Sequence, residues 1–133
     1  MKYLLDTNIC IYIVKQQPLK VLQKFRGFVV GEIGVSSIST AELQFGIARS
    51  SNPTQNQQAL DLVLTALVEV SFDHACAVIY GQMRTYLEKI GTPIGRFDTL
   101  IAAHALSLGV VLVTNNEREF ARVPGLQVEN WVK

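Results

Sequence analysis

Met1-Lys2-Tyr3-Leu4-Leu5-Asp6-Thr7-Asn8 opens the chain, a short apolar run that stops at a carboxylate followed by two residues suited to starting a helix. The run reads as a buried strand that delivers Asp6 to the edge of a sheet. In an open α/β sheet, ligands lie in the crevice beyond the carboxyl ends of the strands, so an acid there faces a pocket instead of the core. A plainer role suits the same residues, because Asp6 or Thr7 can cap the helix that begins near Asn8. One short motif does not separate the two readings; the number of other acids reaching equivalent places does.

Working outward from Asp6, Ile9 to Lys15 form a short helix ended by Gln16-Gln17-Pro18, and Pro18 starts a second one whose Leu19, Val21, Leu22 and Phe25 recur at helical spacing before Gly27. Phe28 to Ser37 suggests a second strand, with Gly31 and Gly34 blurring its start. Ser39-Thr40-Ala41-Glu42 opens a helix running to Ala48, and after a polar break at Arg49 to Thr54 another runs from about Gln55 to Leu67. Val68 to Ser71 alternates like a brief strand. Phe72-Asp73-His74 starts a helix ending at Ile90-Gly91, and a loop over Thr92 to Phe97 leads into an apolar helix from Asp98 to Leu108. Val110 to Val113 is a β-branched run of the kind found in central parallel strands. Thr114 to Glu117 begins a short helix through Phe120, and Leu126 to Glu129 is the last strand. Strands alternating with helices predict an α/β fold of three layers, a central parallel sheet with helices on both faces.

Composition bounds the rest. The 133 residues match one domain, residues 1–133, and with 17% charged residues the chain is apolar enough to build a core. No apolar run approaches the roughly 20 residues needed to span a membrane, and the N-terminal run resembles neither a signal nor a transit peptide, so a cytoplasmic location is expected. Cys10 and Cys76 sit in apolar helical patterns without CxxC or histidine at ligand spacing, and read as buried thiols. A net charge of +1 gives no global case for nucleic acid, yet acids gathered at one site would leave the 12 Lys and Arg to make a basic rim elsewhere.

Asp6, Glu42, Asp98 and Thr114 with Asn116 each fall at a strand end or in the first turn of a helix. Ser39-x-x-Glu42 and Thr114-x-x-Glu117 have the form of capping boxes, which explains those positions singly. Asp98 is less easily explained, because it leads a helix whose next turns are nearly all apolar. A buried helix needs its charged start to face something that tolerates charge. Carboxylates that converge raise each other's pKa unless a cation sits among them, and ligation by oxygen alone selects Mg²⁺ or Mn²⁺ over zinc.

Leu4-Leu5-Asp6-Thr7-Asn8, Ser39-Thr40-Ala41-Glu42-Leu43, Ile94 to Ala103 and Val113 to Phe120 together resemble the PIN-domain ribonucleases, and among them the VapC toxins of bacterial toxin–antitoxin pairs. The resemblance covers essentially the whole chain, in order. It implies a Mg²⁺-dependent endoribonuclease, with Mn²⁺ able to substitute, held inactive by a VapB-type antitoxin. Asp6, Glu42 and Asp98 match the acidic metal site, and cleavage of initiator tRNA in the anticodon loop is implied as the substrate. At the fourth position, where an Asp is common, this chain has Asn116, and Glu119 is the acid able to supply the charge. The resemblance also implies that the helical pair from Glu42 to Leu67 grips the antitoxin and that the toxin forms a homodimer.

Arg96, beside Asp98, is the candidate phosphate contact, with a solvated loop charge as the alternative. His104 and His74 are assigned no catalytic part, and Trp131 and Tyr86 read as packing residues. A receiver-like or dehalogenase-like phosphotransfer domain would also place an acid at a strand end, but no second acid flanks Asp6. A noncatalytic RNA- or protein-interaction module with this fold is the alternative that Asn116 encourages.

Overall fold

Leu4 and Leu5 point to opposite faces of one strand, and that alternation sets up two separate cores. The computed structural model describes residues 1–133. Its elements are β1 (Tyr3–Leu5), α1 (Thr7–Lys15), α2 (Leu19–Arg26), β2 (Ile33–Ser36), α3 (Ser37–Ala48), α4 (Pro53–Leu64), β3 (Val68–Val70), α5 (His74–Lys89), α6 (Arg96–Leu108), β4 (Val111–Val113), α7 (Glu117–Phe120) and β5 (Val128–Glu129). Leu5, Val35 and Val113 pack with Ile9, Ile13, Leu43, Leu60 and Trp131 on one face. Leu4 and Leu112 pack with Met83, Leu87, Ile101 and Phe120 on the other. The expected three layers are present, with helices on both faces.

All five strands are parallel, in the order β3-β2-β1-β4-β5. From β1 the chain moves outward through β2 and β3, then returns to β4 and β5 on the other side. The reversal opens a crevice beyond the carboxyl ends of β1 and β4, where loops diverge instead of closing over one another. Leu5 is in register with both Val35 and Val113, so Asp6 and Thr114 follow β1 and β4 at the same level as Ser36, the last residue of β2. No helix is long and apolar enough to cross a membrane.

Several sequence-based boundaries move, for identifiable reasons. The second strand is confined to Ile33–Ser36, because Gly31 adopts φ 103° and Glu32 turns back, accepting from Val29 N–H at 3.0 Å. Ser36, not Ser39, caps α3: it is extended and its hydroxyl oxygen accepts from Ile38 N–H at 3.0 Å. The Ser39 capping box therefore does not form. The Thr114 box is absent too, since Asn116 is the cap residue of α7 and Glu117 pairs with Lys133 at 2.7 Å. The helix expected from Gln55 starts at Pro53, whose ring suits a first turn, and ends at Leu64. Asp98 lies in the first turn of α6, which begins two residues earlier at Arg96.

Both cysteines are buried thiols, as expected. His104 is fully buried, with Nδ1 2.7 Å from Ser36 Oγ and its ring edge-to-face with Phe72, and burial lowers its pKa. Its place is in the core. Trp131 is a packing residue, stacked on Phe28 at 5.4 Å, but Tyr86 is exposed on α5 and packs no core.

Candidate active site

Asp6 takes the capping role, and its second oxygen is held from the end of β4. As the cap of α1 its Oδ1 accepts from Ile9 N–H at 2.9 Å, while Oδ2 accepts from the Thr114 hydroxyl across the β1–β4 junction. It is only 4% exposed. Burial raises its pKa above the ordinary carboxylate range; the bonds from Thr114 and Ile9 oppose the rise, and the nearby Glu42 charge adds to it.

Glu42 arrives from the second turn of α3. The Thr7 hydroxyl donates to Glu42 Oε1 at 2.6 Å and lies 3.0 Å from Ser39 Oγ. Thr7 has one proton, which it gives to the charged acceptor, so the Ser39 hydroxyl is left to donate to Thr7 in turn. Thr7 and Ser39, read from sequence as capping residues, instead hold the second acid in place. Nothing in local spacing reveals this pairing, which depends on α1 and α3 packing side by side.

Asp98 and Glu119 complete the group. Asp98 is pushed up to about 6, first by burial and then by the charges of Glu119, Asp6 and Glu42, with Glu119 also its hydrogen-bond partner. Asn116 does not stand in for an acid by itself. Its Nδ2 donates to Glu119 Oε2 at 3.0 Å, and its backbone N–H donates to Thr114 Oγ1 at 2.9 Å. Thr114 thus ties Asp6 to the turn that presents Asn116, and Asn116 ties the turn to Glu119. The four acids come from four separate segments, and no three of them close on one point as a finished ligand cage.

Arg96 is placed differently from the expectation. It lines a small cleft with Tyr80, Arg84 and Glu88 on the α5 side of α6, and forms no ion pair with Asp98. Residues two apart at a helix start face different sides, which is the physical reason. On the opposite side, a cleft of about 820 Å³ runs between α1, α3 and α4, with Thr7, Asn8, Glu42 and Phe97 in its wall together with Phe45, Ile47 and Leu60.

The raised pKa of Asp98 has a thermodynamic sign. In the unfolded chain an aspartate ionises at ~3.9, whereas here Asp98 keeps its proton to about 6. The folded protein binds more protons in that window, so stability falls as pH rises through it. Chelator-treated protein should lose about 1 kcal/mol between roughly pH 4.5 and 7 from this group, allowing for solvent screening. Thermal melting across that range measures it, and Asp98→Asn should flatten the slope. A melting temperature that climbs steadily toward pH 7 in both proteins would contradict the assignment.

The chain matches the PIN domain over residues 3–126. It is 44% identical to Ribonuclease VapC2 of Rickettsia felis, with all of both chains covered, and 40% identical to the tRNA(fMet)-specific endonuclease VapC of Shigella flexneri, with 98% of each covered. Among solved structures, the DNA-bound VapBC of Salmonella typhimurium superposes with a TM-score of 0.93 at 38% identity, covering 98% of each chain. With whole-length identity of this order, the parallel five-stranded sheet in common and the acids at its switch point, the chain belongs to the PIN-domain family, on its VapC ribonuclease branch.

Proposed function

We propose that this chain is the toxin of a type II toxin–antitoxin pair, an endoribonuclease that hydrolyses RNA phosphodiesters with the help of a divalent metal ion. The observation that carries the reading is the electrostatic isolation of the acids. Burial and the charges of Glu119, Asp6 and Glu42 raise the Asp98 pKa, and none of the chain's three ion pairs involves any of these four acids. Such a group is stable near neutral pH only if protons or a cation offset its charge.

The donor set fits a hard cation. It is oxygen throughout, while both cysteines and His104 are buried elsewhere. Asp6 and Asp98 would hold Mg²⁺, or Mn²⁺ in its place. Bound there, the ion would polarise the scissile phosphate and lower the pKa of the attacking water. Glu42, fixed by Thr7, would help orient that water. Asn116 holds Glu119 beside Asp98, so the amide at this position supports a fourth acid and no longer favours a noncatalytic module.

The Shigella flexneri relative's name supports initiator tRNA as the substrate, and the anticodon loop is taken as the cleaved segment on the family resemblance alone. The VapBC complexes of Rickettsia felis and Salmonella typhimurium support a VapB-type antitoxin as the partner. The cleft between α1, α3 and α4, with its apolar floor opening toward Glu42, suits a segment of that antitoxin. A cytoplasmic location accords with an RNA substrate of this kind.

The test is to incubate antitoxin-free protein with total bacterial RNA and Mg²⁺ and to map new RNA ends, with EDTA and Asp98→Asn as controls. Discrete cuts that vanish in both controls are expected. A folded protein that cuts nothing, or cuts that survive Asp98→Asn, would overturn the reading. Within it, Glu119→Gln should lower kcat/KM by about 10- to 100-fold, the usual cost of weakening a metal site's support, and raise the Mg²⁺ concentration needed for half-maximal rate. A variant as active as the parent at limiting Mg²⁺ would remove Glu119 from the site.

A further inference from the structure

Phe97 immediately precedes Asp98, yet its side chain is 51% exposed at the start of a helix whose inner turns are buried. Scattered exposed apolar residues need no explanation, but this one lines the same cleft as Thr7, Asn8 and Glu42, in direct continuity with the acids. From this placement we infer that Phe97 is a stacking platform for an unpaired RNA base next to the scissile phosphate, an assignment that rests on the endoribonuclease reading.

Covalent reach places a base at this wall. A phosphate held among Asp6, Glu42 and Asp98 is joined to the neighbouring base by a single ribose, so one flanking base must lie against the walls of the site. Phe97 supplies a flat apolar wall there. Single-stranded RNA is recognised largely through bases splayed out and stacked on aromatic side chains, which is also how a loop differs from a duplex to a protein. A second exposed ring in the cleft, Phe45, already has the Arg49 guanidinium over it at 5.0 Å, which leaves Phe97 as the ring with an open face. Stacking there selects unpaired nucleotides without demanding a particular base.

The rival occupant of this ring is an apolar side chain of a protein inhibitor, and the experiment separates the two. Steady-state cleavage of a tRNA anticodon stem–loop is measured for the parent protein and for Phe97→Ala, Phe97→Leu and Phe97→Trp. Base stacking predicts that Ala and Leu both lose about 5- to 150-fold in kcat/KM and that Trp retains the parent value, the range following from the known contribution of one stacked base. In the Asp98→Asn background, 2-aminopurine placed in turn at each loop position should be quenched on binding at one position flanking the cut, and Phe97→Leu should abolish the quench. Full activity of Phe97→Leu with no position quenched by the parent would overturn the inference while leaving the nuclease reading intact. So would a Phe97→Ala that cuts RNA normally but is poorly inhibited by a VapB-type antitoxin. If the parent protein cuts no RNA, both fall together.

Discussion

Asp98→Asn is expected to abolish RNA cleavage and, in the same protein, to raise the melting temperature of the metal-free fold near neutral pH. The two effects share one cause. Asp98 is held up to about 6 by burial and by three other acids, so near pH 7 its negative charge is a cost to the folded state. The neutral amide has nearly the same shape and relieves that repulsion. Catalysis depends on the charge itself. Losing one anionic ligand should remove about 4 kcal/mol of transition-state stabilisation, roughly 10³-fold in kcat. Rate and thermal melting, measured on one preparation with EDTA present for the melt, test both halves. A variant that is inactive but also destabilised by several degrees would mean that Asp98 is structural, and that its loss disrupts α6 without disclosing any metal site.

The divergent signs also bear on what was legible in the sequence. Period and punctuation were enough for the parallel sheet and its helices, because Leu4-Leu5, Val35 and Leu112-Val113 are β-branched or aliphatic runs bounded by caps and glycines. The acids were legible as positions at strand ends and helix starts. Their partners were not. Thr7 and Ser39 look like caps to any local rule, and only the packing of α1 beside α3 turns them toward Glu42. Arg96 erred the other way, since adjacency in sequence to Asp98 carried no information about which side of α6 its side chain takes. Phe97 was passed over because it reads only as the last residue of the loop before Asp98, and its exposure toward the cleft is set by where the helix begins. Chemistry-bearing residue types were therefore easier to find than the neutral side chains that aim them.

Asp6 gives the sharpest separation of fold from function, because two substitutions at one position should part company. Asp6→Ala removes the cap of α1 and leaves two buried donors, Ile9 N–H and the Thr114 hydroxyl, without acceptors. Losing a cap costs about 1 kcal/mol and an orphaned buried donor about 1 to 3. Removing a carboxylate whose burial already raises its pKa returns part of that, for a net loss of about 2 kcal/mol, or roughly 10 °C in melting temperature. Asp6→Asn keeps Oδ1 for Ile9 and turns the other contact round, with the new amide donating to Thr114 Oγ1. It should melt within about 2 °C of the parent, since the hydrogen-bond count is preserved. Both variants should be equally inactive on RNA, since neither presents an anionic oxygen to a cation. Differential melting and cleavage assays on the pair decide the matter. If Asp6→Asn retains cleavage, the buried carboxylate is a cap and no more, and the metal site must be built from Glu42, Asp98 and Glu119 alone.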